Sequence, residues 1–407
     1  MLRQYIPQGY KATVLGIIPQ EWNVKFLGDL LSRCANGLTY DVSITSGIPV
    51  TRIETISTGE INYAKVGYIP NESGYEIFRM QKGDILYSHI NSLSQIGKVA
   101  YYKGDKEIYH GMNLLLLRAN ESLDKQYLYY TLLTDHMRHM AQVIAKPAVN
   151  QASISTGDLK RVKIAVPPLA EQRKIAEVLG VWDEAIEKQA RLIEKLALRK
   201  RGLMQRLLSA KLRLPGFSEP WKTHKLQELF TERNETNRTD LPLLSITGDR
   251  GVILQTESEK RDTSNDDKSK YKRIAKGDIG YNTMRMWQGR SALSGLEGIV
   301  SPAYTIVVPN TDVDGYYMSV LFKQPRLIYD FWTHSQGLVG DTLNCKYRDF
   351  GQVHICCPPL AEQKAITEVL TAADREIELA KEKLERLRRQ KRGLMQQLLT
   401  GKKRVKY

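Results

Sequence analysis

The residues of this chain that could do chemistry do not assemble, in the sequence, into a recognisable catalytic set. His136 and His139 have i, i+3 spacing on a predicted helix, which suits a metal ion, but further ligands do not follow nearby. The string Ser301-Pro302-Ala303-Tyr304 lacks the second proline of an adenine methyltransferase loop. Phosphate-binding glycine motifs are missing too. The residues alone therefore indicate neither a recognisable active site nor a metal site.

Polar and aromatic side chains concentrate instead in loops, most of them next to a turn that occurs twice, at 82–85 and 276–279, as Lys-Gly-Asp-Ile. Arg, Asn and Gln side chains can make paired hydrogen bonds to base edges, and Lys neutralises phosphates. Solvated hairpin turns would have the same composition, so that interpretation stays open. The candidate DNA contacts are Arg52, His89, Asn91, Ser92, Gln95, Lys98 and Asn150 in the first half, and Asn282, Arg285, Trp287, Gln288, Arg290 and Gln336 in the second half.

Net charge also favours a polyanionic partner. The chain has 407 residues and a formal charge of +15, and segments 191–213 and 381–407 hold eight and eleven Lys or Arg against one and two Glu. Solvated helix faces are often charged, so the run does not by itself establish DNA binding.

The elements that must position these loops are revealed by a long internal repeat. Segments 167–208 and 358–399 align without a gap and share 23 identities in 42 positions. Both begin Pro-Pro-Leu-Ala-Glu-Gln and contain Lys-Arg-Gly-Leu-Met-Gln near their end. A heptad of apolar residues fits each copy from Ile175 and Ile366, and only Gln189, Lys200 and Lys391 interrupt it. We therefore predict two long helices that pair antiparallel, since an internal dyad would reverse their direction.

The totals limit the remaining choices. No apolar stretch reaches the length of a membrane span, and the N-terminus lacks the apolar core of a signal peptide. Four cysteines show neither disulfide nor C-x-x-C spacing. We expect a cytoplasmic protein with no membrane partner.

These motifs resemble the specificity (S, HsdS) subunit of type I restriction-modification systems, over essentially the whole chain. The duplicated Pro-Pro-Leu-Ala-Glu-Gln helix carries the resemblance, and residues 277–287 and 298–304 look like strings of target recognition domains. The resemblance implies an α+β protein with internal pseudo-two-fold symmetry. Its domains would be recognition domain 1 (1–165), a central helical spacer (166–213), recognition domain 2 (214–356) and a distal helical spacer (357–407).

The resemblance also implies partners. Each recognition domain would read one half of an asymmetric bipartite site on double-stranded DNA. The helices would fix the half-site separation and dock two methyltransferase (M) subunits, which recruit restriction (R) subunits. S-adenosylmethionine, ATP and Mg²⁺ would be bound by those partners, which perform adenine-N6 methylation and cleavage in host defence.

For M-subunit docking the expected residues are Glu171, Gln172, Glu362 and Gln363, near the helix starts. The alternative is that these residues only cap their helices. Two other functions stay open from the sequence: a coiled-coil adaptor that binds protein, and a nuclease or methyltransferase with an unrecognised active site.

Overall fold

A computed structural model describes residues 5–148, 151–248, 250–258, 265–337 and 343–406. The chain divides into two compact units, of which the first is built from two separate stretches and the second from one. Unit 1 comprises residues 1–190 and 382–407, and unit 2 comprises residues 191–381. The border falls inside both predicted long helices, so each unit holds one part of each helix.

The strands are short and antiparallel throughout. In unit 1 they are β1 (Tyr10–Thr13), β2 (Gly16–Pro19), β3 (Asn23–Phe26), β4 (Leu31–Asn36), β5 (Ile48–Val50), β6 (Gly67–Ile69), β7 (Ile85–Tyr87), β8 (Ile90–Asn91), β9 (Val99–Tyr101), β10 (Leu115–Ala119), β11 (Lys146–Ala148), β12 (Gln151–Ser153) and β13 (Lys163–Val166). In unit 2 they are β14 (Lys222–Lys225), β15 (Phe230–Arg233), β16 (Leu244–Thr247), β17 (Gly251–Leu254), β18 (Lys272–Ile274), β19 (Ile279–Asn282), β20 (Ser291–Leu293), β21 (Gly298–Val300), β22 (Tyr304–Pro309) and β23 (His354–Cys357).

The helices include two much longer than the rest. The short ones are α1 (Lys125–Leu132), α2 (Asp135–Ile144), α3 (Thr156–Lys160), α5 (Leu226–Leu229), α6 (Gly315–Leu321), α7 (Pro325–His334) and α8 (Tyr347–Gly351). The long ones are α4 (Leu169–Leu207) and α9 (Leu360–Leu398), with 39 residues each. Both begin directly after their Pro-Pro pair, where proline suits the first helical turn.

A four-stranded sheet organises each unit in the same order. It runs β4-β10-β7-β9 in unit 1 and β15-β22-β19-β20 in unit 2. One face of each sheet packs into the main core of its unit, which includes Tyr87 in unit 1 and Tyr281 in unit 2. Mixed helix and sheet, with short antiparallel strands, confirms the predicted α+β class.

The predicted heptads are confirmed by burial. Every a and d position of the two repeats is buried or half-buried, and Leu179 and Leu370 are fully buried in the cores of units 1 and 2. In unit 1 the start of α4 packs antiparallel against the end of α9. Two ion pairs show the direction: Asp183 pairs with Lys391, and Glu171, earlier in the chain, pairs with Arg404, later in the chain. In unit 2 the end of α4 pairs in the same way with the start of α9.

Candidate nucleic-acid interface

The repeated Lys-Gly-Asp-Ile turn anchors the candidate loops of each unit. Its glycines, Gly83 and Gly277, have φ of +98° and +95°, which only glycine adopts without strain. The following aspartates are buried, and each accepts a backbone hydrogen bond of 2.7 Å from three residues earlier. The turn therefore fixes the start of β7 and of β19, the strands that lead into the loops.

An arginine neutralises each turn aspartate, but the two units supply it from different strands. In unit 1 Arg118 on β10 donates to both oxygens of Asp84, at 2.7 and 2.8 Å. In unit 2 Arg233 on β15 donates to both oxygens of Asp278, at 2.7 and 3.1 Å. A buried carboxylate requires such a partner. Each pair holds the base of its loop rigid.

The unit 1 loop follows β7 and is closed by its own hydrogen bonds. The Asn91 side chain donates to the Ser88 hydroxyl at 3.1 Å, and the backbone N–H of Gln95 donates to the Ser92 carbonyl at 2.9 Å. Lys98 donates to the backbone carbonyl of Ser57 at 2.7 Å. Ser92 is exposed, whereas Asn91, Gln95 and Lys98 are half-buried. The sequence prediction thus names residues of one contiguous loop.

His89 does not lie at this surface. It is only 5% exposed, its Nε2 lies 3.1 Å from the Asn36 amide nitrogen, and its Nδ1 has no partner among the described residues. Burial lowers the pKa of His89 to about 4, so the ring is neutral at physiological pH. The predicted DNA contact is therefore corrected, because the ring is enclosed within unit 1.

Two further unit 1 candidates stand apart from this loop. Arg52 precedes a short 3₁₀ turn at Ile53–Ile56 and lies 3.5 Å from the Glu54 carboxylate, with its side chain 36% exposed. Lys98 reaches the end of that turn through Ser57, which brings Arg52 to the neighbourhood of the loop. Asn150 lies outside the described residues. The described strand β12 pairs with β8, Ala152 opposite Asn91, beside the loop.

The unit 2 loop lines a concave site. A cleft of about 360 Å³ opens between the β16–β17 hairpin and the loop after β19. Four of the six unit 2 candidates lie in its wall, together with parts of the hairpin and of β22. The lining residues are Ile246, Thr247, Gly248, Asn282, Arg285, Gln288, Arg290 and Tyr304.

The cleft wall is held in one conformation by backbone contacts. The Asn282 side-chain oxygen accepts from the Met284 amide at 3.0 Å, and the indole of Trp287 donates to the Met284 carbonyl at 3.0 Å. Met286 is fully buried below the loop. Burial raises the pKa of Tyr304 on the opposite wall, so its phenol stays protonated. These hydrogen bonds therefore fix the loop that lines the cleft.

Trp287 and Gln336 are the unit 2 candidates outside the cleft lining. Trp287 is half-buried in its own loop, while Gln336 is exposed and exchanges backbone hydrogen bonds with Asn344 at 2.8 and 2.9 Å. The Cys345 amide next to Asn344 donates to the Thr283 carbonyl at 2.9 Å. Gln336 therefore lies on a segment fastened to the cleft loop.

The residues predicted to dock partner subunits are buried inside their own units. Glu171 and Glu362 are 0% and 1% exposed. Glu171 accepts from the Trp22 indole at 2.9 Å and from Arg404 at 2.6 and 3.0 Å. Glu362 likewise accepts from the Trp221 indole at 3.2 Å and from Arg213 at 2.6 and 2.8 Å.

The adjacent glutamines secure the same junction. The Gln172 side chain accepts from the backbone N–H of Asp124, the N-cap residue of α1, and donates to the Pro167 carbonyl. The Gln363 side chain likewise accepts from the backbone N–H of Asp314, the N-cap residue of α6, and donates to the Pro358 carbonyl. We call each Glu, Gln, Trp and Arg set the helix joint of its unit. The docking role is corrected to this internal one, because side chains enclosed in this way are not presented to a partner.

A second repeated set, of one Asp, one Lys and one Tyr in each unit, was not predicted from the sequence. In unit 1 the Asp183 carboxylate accepts from Lys391 and from the Tyr130 hydroxyl, at 2.5 and 2.7 Å. In unit 2 Asp374 accepts from Lys200 and from the Tyr316 hydroxyl, at 2.5 and 2.6 Å. We call these sets the seam triads. Their signal in the sequence was the lysine that interrupts each heptad at a d position.

The seam triads keep their charges in a partly buried place. Burial, followed by the hydrogen bond to aspartate, raises the pKa of Tyr130 and of Tyr316, so both phenols remain donors at all physiological pH values. The Lys391 ammonium also lies 5.0 Å from the centre of the Tyr130 ring, a cation–π distance. Each lysine therefore replaces an apolar seam contact with an ion pair of defined geometry.

Groups suited to hold a metal ion, with three or more His, Cys, Asp or Glu together, do not occur within the described ranges. His136 and His139 are both exposed on α2.

None of the helices described here is both long and apolar enough to cross a membrane.

Comparison with known proteins gives a consistent result. Residues 19–197 match the family model of the type I restriction modification DNA specificity domain. The chain is 35% identical over 436 aligned residues to the putative type I restriction enzyme MjaX specificity subunit of Methanocaldococcus jannaschii, covering 100% of this chain and 99% of that protein.

The fold is similar to solved structures at low identity. The type I restriction-modification S subunit from M. genitalium gives a TM-score of 0.54 at 16% identity, covering 93% of this chain and 96% of that chain. A chain from a structure reported for complex assembly and conformational transition of the type I R-M system gives 0.59 at 17% identity, covering 94% and 99%.

Proposed function

Starting from the fact that this chain belongs to the family of type I restriction enzyme specificity subunits, we propose that units 1 and 2 each read one half of a bipartite DNA site. The observation that carries this proposal is the contrast within the repeat. The helix joints and seam triads are the same in both units, whereas the loops after the Lys-Gly-Asp-Ile turn differ in sequence and in shape. Sameness suits a scaffold that two identical partners bind, and difference suits two unlike half-sites.

Binding of DNA by these loops would combine two kinds of contact. Cationic side chains supply affinity through phosphates, and contacts to base edges supply discrimination. The net charge of +15 supports attraction to a polyanion. The different loops of the two units predict an asymmetric site.

Catalysis then belongs to other subunits. We propose that two M subunits bind the helical scaffold and methylate adenine at N6, and that R subunits join through them. S-adenosylmethionine, ATP and Mg²⁺ would be held by those partners. The protein would act in the cytoplasm, in contact with cellular DNA.

The proposal is tested by exchanging residues 214–356 for the corresponding segment of a relative. The exchanged protein is produced with its M subunits in a host that lacks adenine methylation, and methylated adenines are mapped across the genome. We expect a bipartite motif in which only the half read by unit 2 changes. Methylation or cleavage by this chain without M subunits, or a change in both half-sites, would contradict the proposal.

A further inference from the structure

Arg290, which lines the cleft, differs from the arginines of unit 2 that form internal ion pairs. Arg233 and Arg273 pair with carboxylates of their own unit at 2.5 to 3.1 Å. The Arg290 side chain takes part in no ion pair or hydrogen bond within the parts of the chain that the structure describes. It is exposed and lines the cleft. Among the described residues, no group therefore uses its five N–H donors, and they are available to a ligand.

Two glycines make this position possible. Gly289 has φ of +70°, which turns the chain from the 3₁₀ turn at Met286–Gln288 into β20. Gly248, on the opposite wall, has no side chain, and a Cβ there would lie 3.1 Å from Nη1 of Arg290. The guanidinium thus lies against bare backbone, with its position limited on that side.

The other cleft groups indicate what this guanidinium meets. The Asn282 side-chain oxygen is already occupied by the Met284 amide, while the amide of Gln288 is exposed at the rim. Arg290 offers donors only, and Gln288 adds both a donor and an acceptor. A phosphate presents acceptors alone. A guanine–cytosine pair presents acceptors at guanine N7 and O6 beside a donor at cytosine N4.

We propose that Arg290 is the specificity-determining residue of unit 2, and that it reads a guanine through N7 and O6. Gln288 contacts the same base pair or its neighbour. This inference rests on the proposed function, since it assigns a base to a surface already proposed to face DNA. Because hydrogen bonds already fix the loop, little conformational freedom is lost when the base edge is bound.

The test uses the complete chain with its M subunits in a host free of adenine methylation. Methylated motifs are mapped for the original protein and for Arg290→Ala, Arg290→Lys and Arg290→Gln. Arg348→Ala is the matched control, because it removes the same charge from an 86% exposed side chain of unit 2 that lies outside the cleft. Thermal unfolding of every variant checks that unit 2 remains folded.

We expect a required guanine in one half of the motif. Arg290→Ala should lose about 10- to 100-fold of the preference for guanine at that position, as expected for one bidentate pair. Lysine keeps the charge but not the planar fork, so Arg290→Lys should lose most of the preference too. Glutamine suits adenine, so Arg290→Gln should move the preference towards it. The other half-site should stay unchanged, and Arg348→Ala should leave the motif intact.

Other results would overturn the inference in distinguishable ways. If the Arg290 variants reduce methylation equally at all sites and leave the motif intact, the residue contacts phosphate. If the motif is unchanged in every variant at full rate, the cleft does not face DNA. If the original chain confers no sequence-dependent methylation at all, the proposed function itself is wrong.

Discussion

Units 1 and 2 are built on the same frame, yet they differ where they are proposed to meet DNA. Both contain a helix joint, a seam triad and a four-stranded sheet of the same order. The unit 1 loop is tied through Lys98 to the carbonyl of Ser57, whereas the unit 2 loop lines a polar cleft of about 360 Å³. The contacts that hold the helices are therefore made by the same residue types in both units, while the loops proposed to discriminate between half-sites differ.

The turn aspartate shows how much change the frame permits. Asp84 and Asp278 both need a guanidinium because both are buried. The arginine comes from β10 in one unit and from β15 in the other. The chemical requirement has therefore been retained while the residue that meets it has moved.

The largest difference expected between the units is in their response to acid. His89 and His110 are buried in unit 1, and burial lowers the pKa of each to about 4. An unfolded histidine has a pKa near 6.5, so unit 1 keeps its full stability above that value and loses it as pH falls towards 4. We expect a loss of about 2 kcal/mol per histidine at pH 5, and so of about 4 kcal/mol for the two together. Unit 2 has no buried histidine among its described residues.

Hydrogen exchange measured peptide by peptide between pH 7 and pH 5 would resolve the two units. Protection should fall in unit 1 first, and His110→Gln should reduce the pH dependence. A parallel loss of protection in unit 2 would contradict this explanation.

A somewhat smaller effect is expected from the helix joints. Glu171→Gln removes the charge that faces Arg404 but keeps an oxygen for the Trp22 indole, and Glu362→Gln does the same opposite Arg213. Breaking a buried ion pair from one side costs about 3 kcal/mol. Each substitution should lower the free energy of unfolding of its own unit by about this amount. Chemical denaturation with hydrogen exchange as the readout would measure this for each unit separately.

Replacing Arg404 provides the sharper version. Arg404→Met lies near the C-terminus, yet its partner Glu171 belongs to the start of α4, so unit 1 should be destabilised. Loss of protection in unit 2 instead would show that the C-terminal segment does not belong to unit 1.

The smallest effect is expected from the seam triads. Tyr130→Phe and Lys391→Met each remove one partner of Asp183, and each should cost about 1 kcal/mol in the free energy of unfolding. Because both side chains bind one carboxylate, a double-mutant cycle should give a coupling energy of about 0.5 kcal/mol or more. Tyr130→Phe combined with Lys200→Met is the control, since Lys200 binds Asp374 in unit 2. Equal coupling in the two cycles would mean that the triads do not act within separate units.

The scaffold was predictable because its signals are local and periodic. The heptads from Ile175 and Ile366 state which helix face is apolar, and every predicted seam position is buried or half-buried. The Lys-Gly-Asp-Ile turn was visible for a similar reason, since a glycine followed by a capping aspartate is a local backbone requirement.

The candidate site was predicted less well because burial and pairing depend on distant residues. His89 is in the right stretch, but Asn36 and the surrounding core enclose it. Glu171 and Glu362 resemble surface residues in the first turn of a helix, and only the approach of Trp22, Arg404, Trp221 and Arg213 makes them interior. No pattern in the sequence relates residues separated by 233 positions, as Glu171 and Arg404 are.

The sequence was therefore enough to predict the repeat, the two long helices, the α+β class and the loops in which discrimination is sought. Periodicity and identity between the two copies are enough for the repeat and the helices, because both depend on neighbours along the chain, whereas the α+β class is what the family resemblance implies. The tertiary structure alone shows that the repeated Glu and Gln side chains face inward and that the unit 2 loop lines a cleft. Those outcomes depend on which side chains meet across space, where a carboxylate must find its arginine before it can be buried.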